Sequence, residues 1–445
     1  MLTKIGMISL GCPKNQVDFE RMASALESAG FTVVDDLGDA QIIIVNTCCF
    51  IEDAKKESIA NILDAASMKE DGLVKRLVIT GCMAERYRDE LHGEFPEADA
   101  VIGIGANGDI VDVVTRLAGE DGEPEFYSCF PEKTLLPLDG KRRLASPPYW
   151  AYLRLADGCS NRCSYCAIPS IRGRFRSRPM SNIVTEAKEL VAGGAKELIL
   201  IAQDTTRYGE DIYGDRMLPR LLDELQKIQD LRWIRLLYCY TDRITDELIS
   251  AMERNDKVLR YIDIPIQHCN ADILKAMNRS GDRGRMTALI NKLRERLPGI
   301  VIRTSLIAGF PGETAEQFEE LCDFVREMKF DRLGCFAYSR EEGTPAAELE
   351  GQLDDDVRAS RAETVMDIQE EIFLDKLRAS VGSVLPVMID FYDSYTDSYY
   401  GRASTDAPEI DGIIHVTCGY ELEEGDIVDV EVTNVVDGEL IGEVC

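Results

Sequence analysis

Two hydrophobic periods divide this chain. From 1 to 118, short apolar runs alternate with stretches whose apolar residues recur at helical spacing. Segments 5–10, 41–45, 77–80 and 100–104 read as strands. Segments 18–29, 52–67, 85–91 and one beginning at Asp109 read as helices. That alternation predicts a parallel sheet with helices on both faces, an α/β domain. Residues 119–148 carry Gly, Pro and charge (Gly119-Glu120-Asp121-Gly122-Glu123-Pro124, then Lys141-Arg142-Arg143) and read as a linker with little structure of its own. From 149 to 378 the strand–helix alternation resumes. Strands are expected at 151–156, 198–202, 233–239, 261–266, 301–307 and 333–338, so about six units should form a partial (β/α) barrel. A long charged helix follows from Asp354. Residues 381–445 switch to period two, with Gly and Asp at the breaks, and predict a small antiparallel β-barrel of about five strands.

Length agrees with this division, since 445 residues exceed what one core holds. The composition, 45% hydrophobic and 29% charged, is that of a globular protein. No apolar run approaches the roughly 18 residues of a membrane span. No signal peptide is expected at Met1-Leu2-Thr3-Lys4-Ile5, which leads into no apolar segment followed by a small-residue cleavage site. A cytoplasmic location is expected, and there fourteen cysteines point to metal or redox chemistry rather than disulfides.

A net charge of −30 suits a basic partner better than a phosphate backbone. Its distribution sharpens the point. Within 381–445, fifteen acidic residues stand against one basic residue, Arg402. An RNA-binding barrel should instead show a basic face.

The densest chemistry lies in Asp157-Gly158-Cys159-Ser160-Asn161-Arg162-Cys163-Ser164-Tyr165-Cys166. Its C-x3-C-x2-C spacing can bring three thiolates to one iron–sulfur cubane and leaves one iron open. Zinc usually takes C-x2-C pairs completed by a second pair or by His; no second pair exists here, and His92, His268 and His415 lie far apart in sequence. The stretch resembles the cluster loop of radical S-adenosylmethionine enzymes. The resemblance implies that the open iron takes the amino and carboxylate groups of S-adenosylmethionine, with Tyr165 near its adenine. Elsewhere in the barrel, Gln203 and Asp204 end the second strand and are placed to meet the amino-acid end of that cofactor. Arg303 lies on the fifth strand, and Gly309-Phe310-Pro311-Gly312-Glu313 follows it as a loop whose backbone can approach a flat ring. Each reads equally as a turn or a satisfied barrel polar group. Arg172, Arg174, Arg176 and Arg178 form a basic stripe, open to a substrate or to nearby acids.

Three more cysteines sit at equivalent places. Cys12, Cys48 and Cys82 follow the first three long strands in Leu10-Gly11-Cys12-Pro13-Lys14-Asn15, Asn46-Thr47-Cys48 and Thr80-Gly81-Cys82. Taken singly they read as small buried apolar residues. Repetition at one sheet edge favours a ligand set instead. These motifs resemble the N-terminal domain of methylthiotransferases, which implies a second 4Fe–4S cluster on Cys12, Cys48 and Cys82. Cys49 stands where a small residue is usual. By contrast, Gly103-Ile104-Gly105-Ala106-Asn107-Gly108 spells a dinucleotide fingerprint but follows the last strand of its domain, not the first, and reads as a loop.

Gly11-Cys12-Pro13-Lys14-Asn15 and, in the acidic last domain, Ala407-Pro408-Glu409-Ile410-Asp411-Gly412 resemble the RimO-type methylthiotransferases, with Phe19 where Ser is usual. The resemblance covers all three domains; the last is similar to a TRAM domain. It implies two 4Fe–4S clusters, S-adenosylmethionine, and a reducing partner such as flavodoxin or ferredoxin. The implied reaction forms 3-methylthioaspartyl on small-subunit ribosomal protein S-twelve. A 5′-deoxyadenosyl radical removes hydrogen from the aspartate β-carbon, and a methylated sulfur on the second cluster is transferred to it. Two alternatives stand beside this: the same chemistry on tRNA adenosine, and a non-catalytic iron–sulfur scaffold.

Overall fold

In the computed structural model, which describes residues 3–119 and 125–445, the chain divides into two compact units. Residues 1–2, part of the expected leaderless start, and 120–124, part of the expected linker, lie outside the described residues.

The first unit comprises Met1–Ala145, Ala156–Arg178 and Glu341–Thr344. Its strands are β1 (Lys4–Ser9), β2 (Thr32–Val34), β3 (Ile42–Thr47), β4 (Arg76–Gly81), β5 (Ala100–Ile102) and β6 (Tyr127–Cys129). They pair in the order β2-β1-β3-β4-β5-β6, every pairing parallel. Strand β3, Ile-Ile-Ile-Val-Asn-Thr, is buried at every position, as a central parallel strand covered on both faces must be. Alternate residues feed two cores. Ile43, Val45, Leu77 and Ile79 pack with Ile62, Ala65 and Ala66 of helix Glu52–Glu70. Ile42, Ile44, Val78 and Ala100 pack with Met22 and Leu26 of helix Pro13–Ser28 and with Val113, Val114 and Leu117 of helix Ile110–Gly119.

Helix Pro13–Ser28 begins five residues before the expected 18. Pro13 occupies the first helical turn, where its missing N–H costs nothing. Within the expected linker, Tyr127–Cys129 adds edge strand β6, and Lys133–Leu135 forms a 3₁₀ turn. The basic stripe holds this segment. Arg176 donates to the carbonyls of Lys133 (3.0 Å), Thr134 (2.7 Å) and Leu136 (3.0 Å), and Arg178 donates to Asp139 (2.7 Å).

The second unit comprises Ser146–Leu155, Pro179–Arg340 and Pro345–Cys445. Here β7 (Trp150–Arg154), β8 (Glu197–Ile201), β9 (Trp233–Leu236), β10 (Val258–Asp263), β11 (Val301–Ala308) and β12 (Arg332–Ala337) pair in sequence order, all parallel. They make the partial barrel. The expected first barrel strand, 151–156, stops at Arg154. Ala156–Asp157 pairs instead with Arg176–Ser177 in a short antiparallel ribbon of the first unit.

The C-terminal strands β13 (Val384–Asp393), β14 (Ser398–Ala403), β15 (Ile414–Thr417), β16 (Ile427–Val436) and β17 (Glu439–Val444) close a barrel in the order β13-β14-β15-β17-β16. All pairings are antiparallel except β15 with β17. Val387, Ile389, Ile414, Val416, Val430 and Val432 fill it, and Leu377 of helix Asp355–Ala379 joins them.

Within this unit, residues 402–411 meet the partial barrel through polar contacts. Arg402 and Arg235 both bind the buried Glu197, the latter at 2.7 Å. Tyr152 donates to Glu409 (3.1 Å), Tyr261 to Asp411 (2.6 Å) and Arg235 to the carbonyl of Ser404 (3.0 Å), while Arg332 binds Asp406.

Candidate iron–sulfur and cofactor residues

Three strand ends carry Cys12, Cys48 and Cys82, and the backbone around them is unusually tight. Gly11 has φ +89°, and a Cβ there would lie 2.6 Å from Cys48 Sγ. Gly81 has φ +93° and ψ −159°, a region open essentially to glycine alone. A Cβ on Gly81 would lie 2.5 Å from the carbonyl oxygen of Thr47. These two glycines let neighbouring strand ends approach and set each following cysteine at the same edge.

Buried hydrogen bonds fix that edge. The Asn15 amide donates to the carbonyls of Leu10 (2.7 Å), Asn46 (3.2 Å) and Thr47 (3.3 Å), and Asn46 donates back to the Asn15 carbonyl (2.9 Å). Ser58 accepts from the Cys48 amide (2.9 Å) and donates to its carbonyl (2.8 Å).

One guanidinium reaches several of these groups. Arg172 is buried and donates to Asp18 (2.7 Å), Asp157 (3.3 Å), Asn15 Oδ1 (3.1 Å) and Cys82 Sγ (3.8 Å). Burial raises the Cys82 thiol well above its ordinary value, with Arg172 pulling it back down. Burial and the neighbouring Cys12 push the Cys48 thiol up to about 11. A thiol so raised is protonated at neutral pH, so loading a metal there releases protons. Cys49 looks elsewhere. It packs in the apolar core with Ile62 and Ala65, Arg86 is its main charged neighbour, and burial pushes its thiol up to about 12.

The donor set fits an iron–sulfur group: three thiols at one edge, a cationic N–H donor to one of them, and tight glycine turns between. Among the described residues, no three or more His, Cys, Asp or Glu gather closely enough for a single metal ion. A cubane takes one thiolate at each of several separate irons and so needs a wider set.

The loop with Cys159, Cys163 and Cys166 belongs to the same unit. The Cys159 amide donates to the Gly173 carbonyl (3.0 Å) and the Cys166 amide to the Cys163 carbonyl (3.1 Å). Gly158 has φ +76°, and a Cβ there would lie 2.2 Å from the Arg174 carbonyl oxygen. Cys159 and Cys163 are buried, while Tyr165 and Cys166 are half-buried. None of the described cysteines forms a disulfide. In the sequence, spacing singles out Cys159, Cys163 and Cys166, and repetition after successive strands singles out Cys12, Cys48 and Cys82. The hub Arg172 was visible only as one member of a basic stripe.

In the second unit, Asp204 is buried and accepts from Arg243 (2.9 Å) and Thr206 (2.7 Å). Gln203, half-buried, precedes it just beyond β8. Arg303 on β11 donates to Asp263 (2.9 Å) and lies 3.7 Å from Asp411. Burial alone would lower the Arg303 guanidinium, but Asp263, Tyr261 and Asp411 hold it above its ordinary value. Gly309 has φ +75°, and its amide donates to Glu313 (3.0 Å). The space beside its Cα is filled by Arg358, whose Cγ would lie 2.6 Å from a Cβ added there. The close approach at this glycine is therefore made by a helix side chain.

The fingerprint-like loop is explained the same way. A Cβ on Gly103 would meet Glu85 at 2.4 Å, and one on Gly105 the Pro131 carbonyl at 2.3 Å. Protein atoms fill the space that a dinucleotide would need. No helix of the described residues is long and apolar enough to cross a membrane.

Comparison with known proteins finds three family matches along the chain. Residues 4–103 match uncharacterized protein family UPF0004, residues 153–325 the radical SAM superfamily, and residues 381–445 the TRAM domain. "Ribosomal protein uS12 methylthiotransferase RimO" of Desulforamulus reducens is 48% identical over 446 residues, covering 99% of each chain. The protein of the same name from Caldanaerobacter subterraneus is 48% identical over 443 residues, covering 99% of this chain and 100% of that one. Among solved structures, TsrM from Kitasatospora setae is a radical S-adenosylmethionine methyltransferase with cobalamin and a 4Fe–4S cluster bound. It aligns over 78% of this chain and 77% of its own, with a TM-score of 0.55 and 17% identity, a likeness of fold.

Proposed function

The chain belongs to the RimO-type methylthiotransferases of the radical S-adenosylmethionine superfamily, and from that membership we propose that it replaces one β-hydrogen of an aspartate in the small-subunit ribosomal protein S-twelve with a methylthio group. The observation that carries the finer reading is the presence of two cysteine triplets in one compact unit, Cys159, Cys163 and Cys166 beside Cys12, Cys48 and Cys82. We assign a 4Fe–4S cluster to each. When bound, reduced iron–sulfur and S-adenosylmethionine supply one-electron chemistry for a C–H bond that no side-chain base can deprotonate.

The chain's own residues bind and orient. Gly158 lets the first cysteine loop turn tightly, and Tyr165 in that loop is assigned to the adenine. In the second unit, Gln203, Asp204 and Arg303 are assigned to S-adenosylmethionine. Asp204 is pre-oriented by Arg243 and Arg303 by Asp263, so neither loses much side-chain freedom on binding.

The acidic barrel supports a basic protein substrate. Glu421, Glu423, Glu424, Asp429 and Glu431 are exposed, whereas the single basic residue, Arg402, is buried against Glu197. One observation favours tRNA as a second reading. Phe391 stacks on Tyr400 (4.8 Å between centroids), and Tyr400 packs on His415 (4.3 Å), a row on which bases can stack. The surrounding carboxylates oppose a phosphate backbone. The reaction is placed in the cytoplasm, with a low-potential one-electron donor such as flavodoxin or ferredoxin.

The test is to reconstitute the enzyme with iron and sulfide, add S-adenosylmethionine and reductant, and offer each substrate. Mass spectrometry should find the methylthio adduct on the aspartate of the ribosomal protein. An adduct on tRNA adenosine alone overturns the reading.

A further inference from the structure

We propose that Arg172 is a positioning residue that sets the reduction potential of the iron–sulfur group held by Cys12, Cys48 and Cys82; this rests on the reading of those cysteines as its ligands. Arg172 lies 154 residues from Asp18, 157 from Asn15, 90 from Cys82 and 15 from Asp157, yet donates to all four. Burying a guanidinium is costly unless its charge is matched and its fork filled. Asp18 and Asp157 match the charge. Two carboxylates already suffice for that, so the remaining N–H directions are used for Asn15 and the Cys82 sulfur.

Those two contacts reach the whole thiol set. Arg172 touches Cys82 directly. Through Asn15 it reaches the carbonyls of Leu10, Asn46 and Thr47, which close the strand ends just before Cys12 and Cys48. Asp157, its second carboxylate, lies two residues before Cys159. One side chain therefore links the frame of the first cysteine loop to every ligand of the second set. Hydrogen bonds and positive charge at a ligating sulfur stabilise the reduced cluster and raise its potential. Lysine cannot reproduce this, because a single ammonium lacks the planar fork that serves four partners at once.

The experiment uses full-length chain in which Cys159, Cys163 and Cys166 are changed to Ala, so that iron reports the second set alone. Iron per chain, the cluster's electron paramagnetic resonance spectrum and its midpoint potential are measured for that background and with Arg172→Lys or Arg172→Gln added. The inference expects iron to be retained, a midpoint shifted negative in Arg172→Lys, and a larger negative shift with an altered spectrum in Arg172→Gln. Unchanged potential and spectrum in folded, iron-loaded Arg172→Gln overturn it and leave the ligand reading intact. A background chain that binds no iron overturns both. If the Arg172 variants do not fold, Asp18→Asn decides, because it keeps the guanidinium and removes compensating charge. The midpoint should then rise, and no rise overturns the inference.

Discussion

Tyr261 donates a 2.6 Å hydrogen bond to Asp411, joining a barrel strand to the loop between β14 and β15. Burial raises the Asp411 carboxyl above its ordinary range, and Tyr261, the Ala407 amide (2.9 Å) and Arg332 oppose that rise. Tyr261→Phe removes the donor and leaves the carboxylate under-satisfied, a loss of about 1–3 kcal/mol. The expected result is a lower unfolding midpoint for the second unit, read by calorimetry. A midpoint equal to that of the unchanged protein would show that the Ala407 amide and the two arginines, Arg303 and Arg332, suffice.

Glu197 gives a pH dependence of known sign. Burial alone would raise its carboxyl, but Arg235 and Arg402 hold it below the usual range. The folded state thus binds this proton less readily than the unfolded state. The associated stability is present above the ordinary glutamate value and is lost as pH falls through the lower folded value. Glu197→Gln should remove that acid-side loss, so the melting temperatures of variant and parent draw together only as pH falls below the ordinary glutamate range and through the lower folded value. Parallel curves down to the acid limit would contradict the assignment.

Gly11 and Gly81 separate fold from ligand placement. Each has a backbone conformation that costs a non-glycine residue about 1–3 kcal/mol. Gly81→Ala drives a Cβ into the Thr47 backbone, and Gly11→Ala drives one into Cys48 Sγ. The first should lower the melting temperature. The second should chiefly lower iron content after reconstitution, because what it displaces is a thiol. Full iron in Gly11→Ala would count against Cys48 as a ligand.

Changing Cys12, Cys48 and Cys82 together to Ala should leave about half the iron, since one of two equal cysteine triplets remains. The companion Cys49→Ala should leave iron unchanged, because Cys49 packs in the apolar core. Iron that does not fall in the triple variant means that the second cluster is misassigned.

What the sequence revealed and what it hid follow one physical line. Strand β8, Glu-Leu-Ile-Leu-Ile, is buried at every position, and such runs are readable without knowing their neighbours. The strand-end cysteines were readable because each sits just past such a run. Long-range polar contacts leave no local trace. Nothing near Arg172 announces Asp18 or Cys82, and nothing near Arg303 announces Asp411. Gly309 was expected to admit a flat ring, but its neighbour is Arg358, forty-nine positions along the chain. Tyr127–Cys129 escaped notice because three residues at a sheet edge carry too little pattern to outweigh a Gly- and Pro-rich context.

The acidic barrel predicts a salt-sensitive encounter with a basic protein. Replacing Glu421, Glu423 and Glu424 with Gln should slow modification of the ribosomal protein at low salt and flatten its decline as salt is raised. Modification that is independent of salt in both proteins would place docking elsewhere.

Arg402 has a practical consequence outside catalysis. A protease that cuts after Lys or Arg finds a single target between Arg378 and the C-terminus, and that residue is buried in its pair with Glu197. Trypsin applied to native protein should therefore leave 379–445 in one piece after other surfaces are nicked. In denatured protein the same enzyme yields only two long peptides from this region. The module is its own protected fragment, and peptide mapping of its surface calls for an enzyme that cleaves at glutamate.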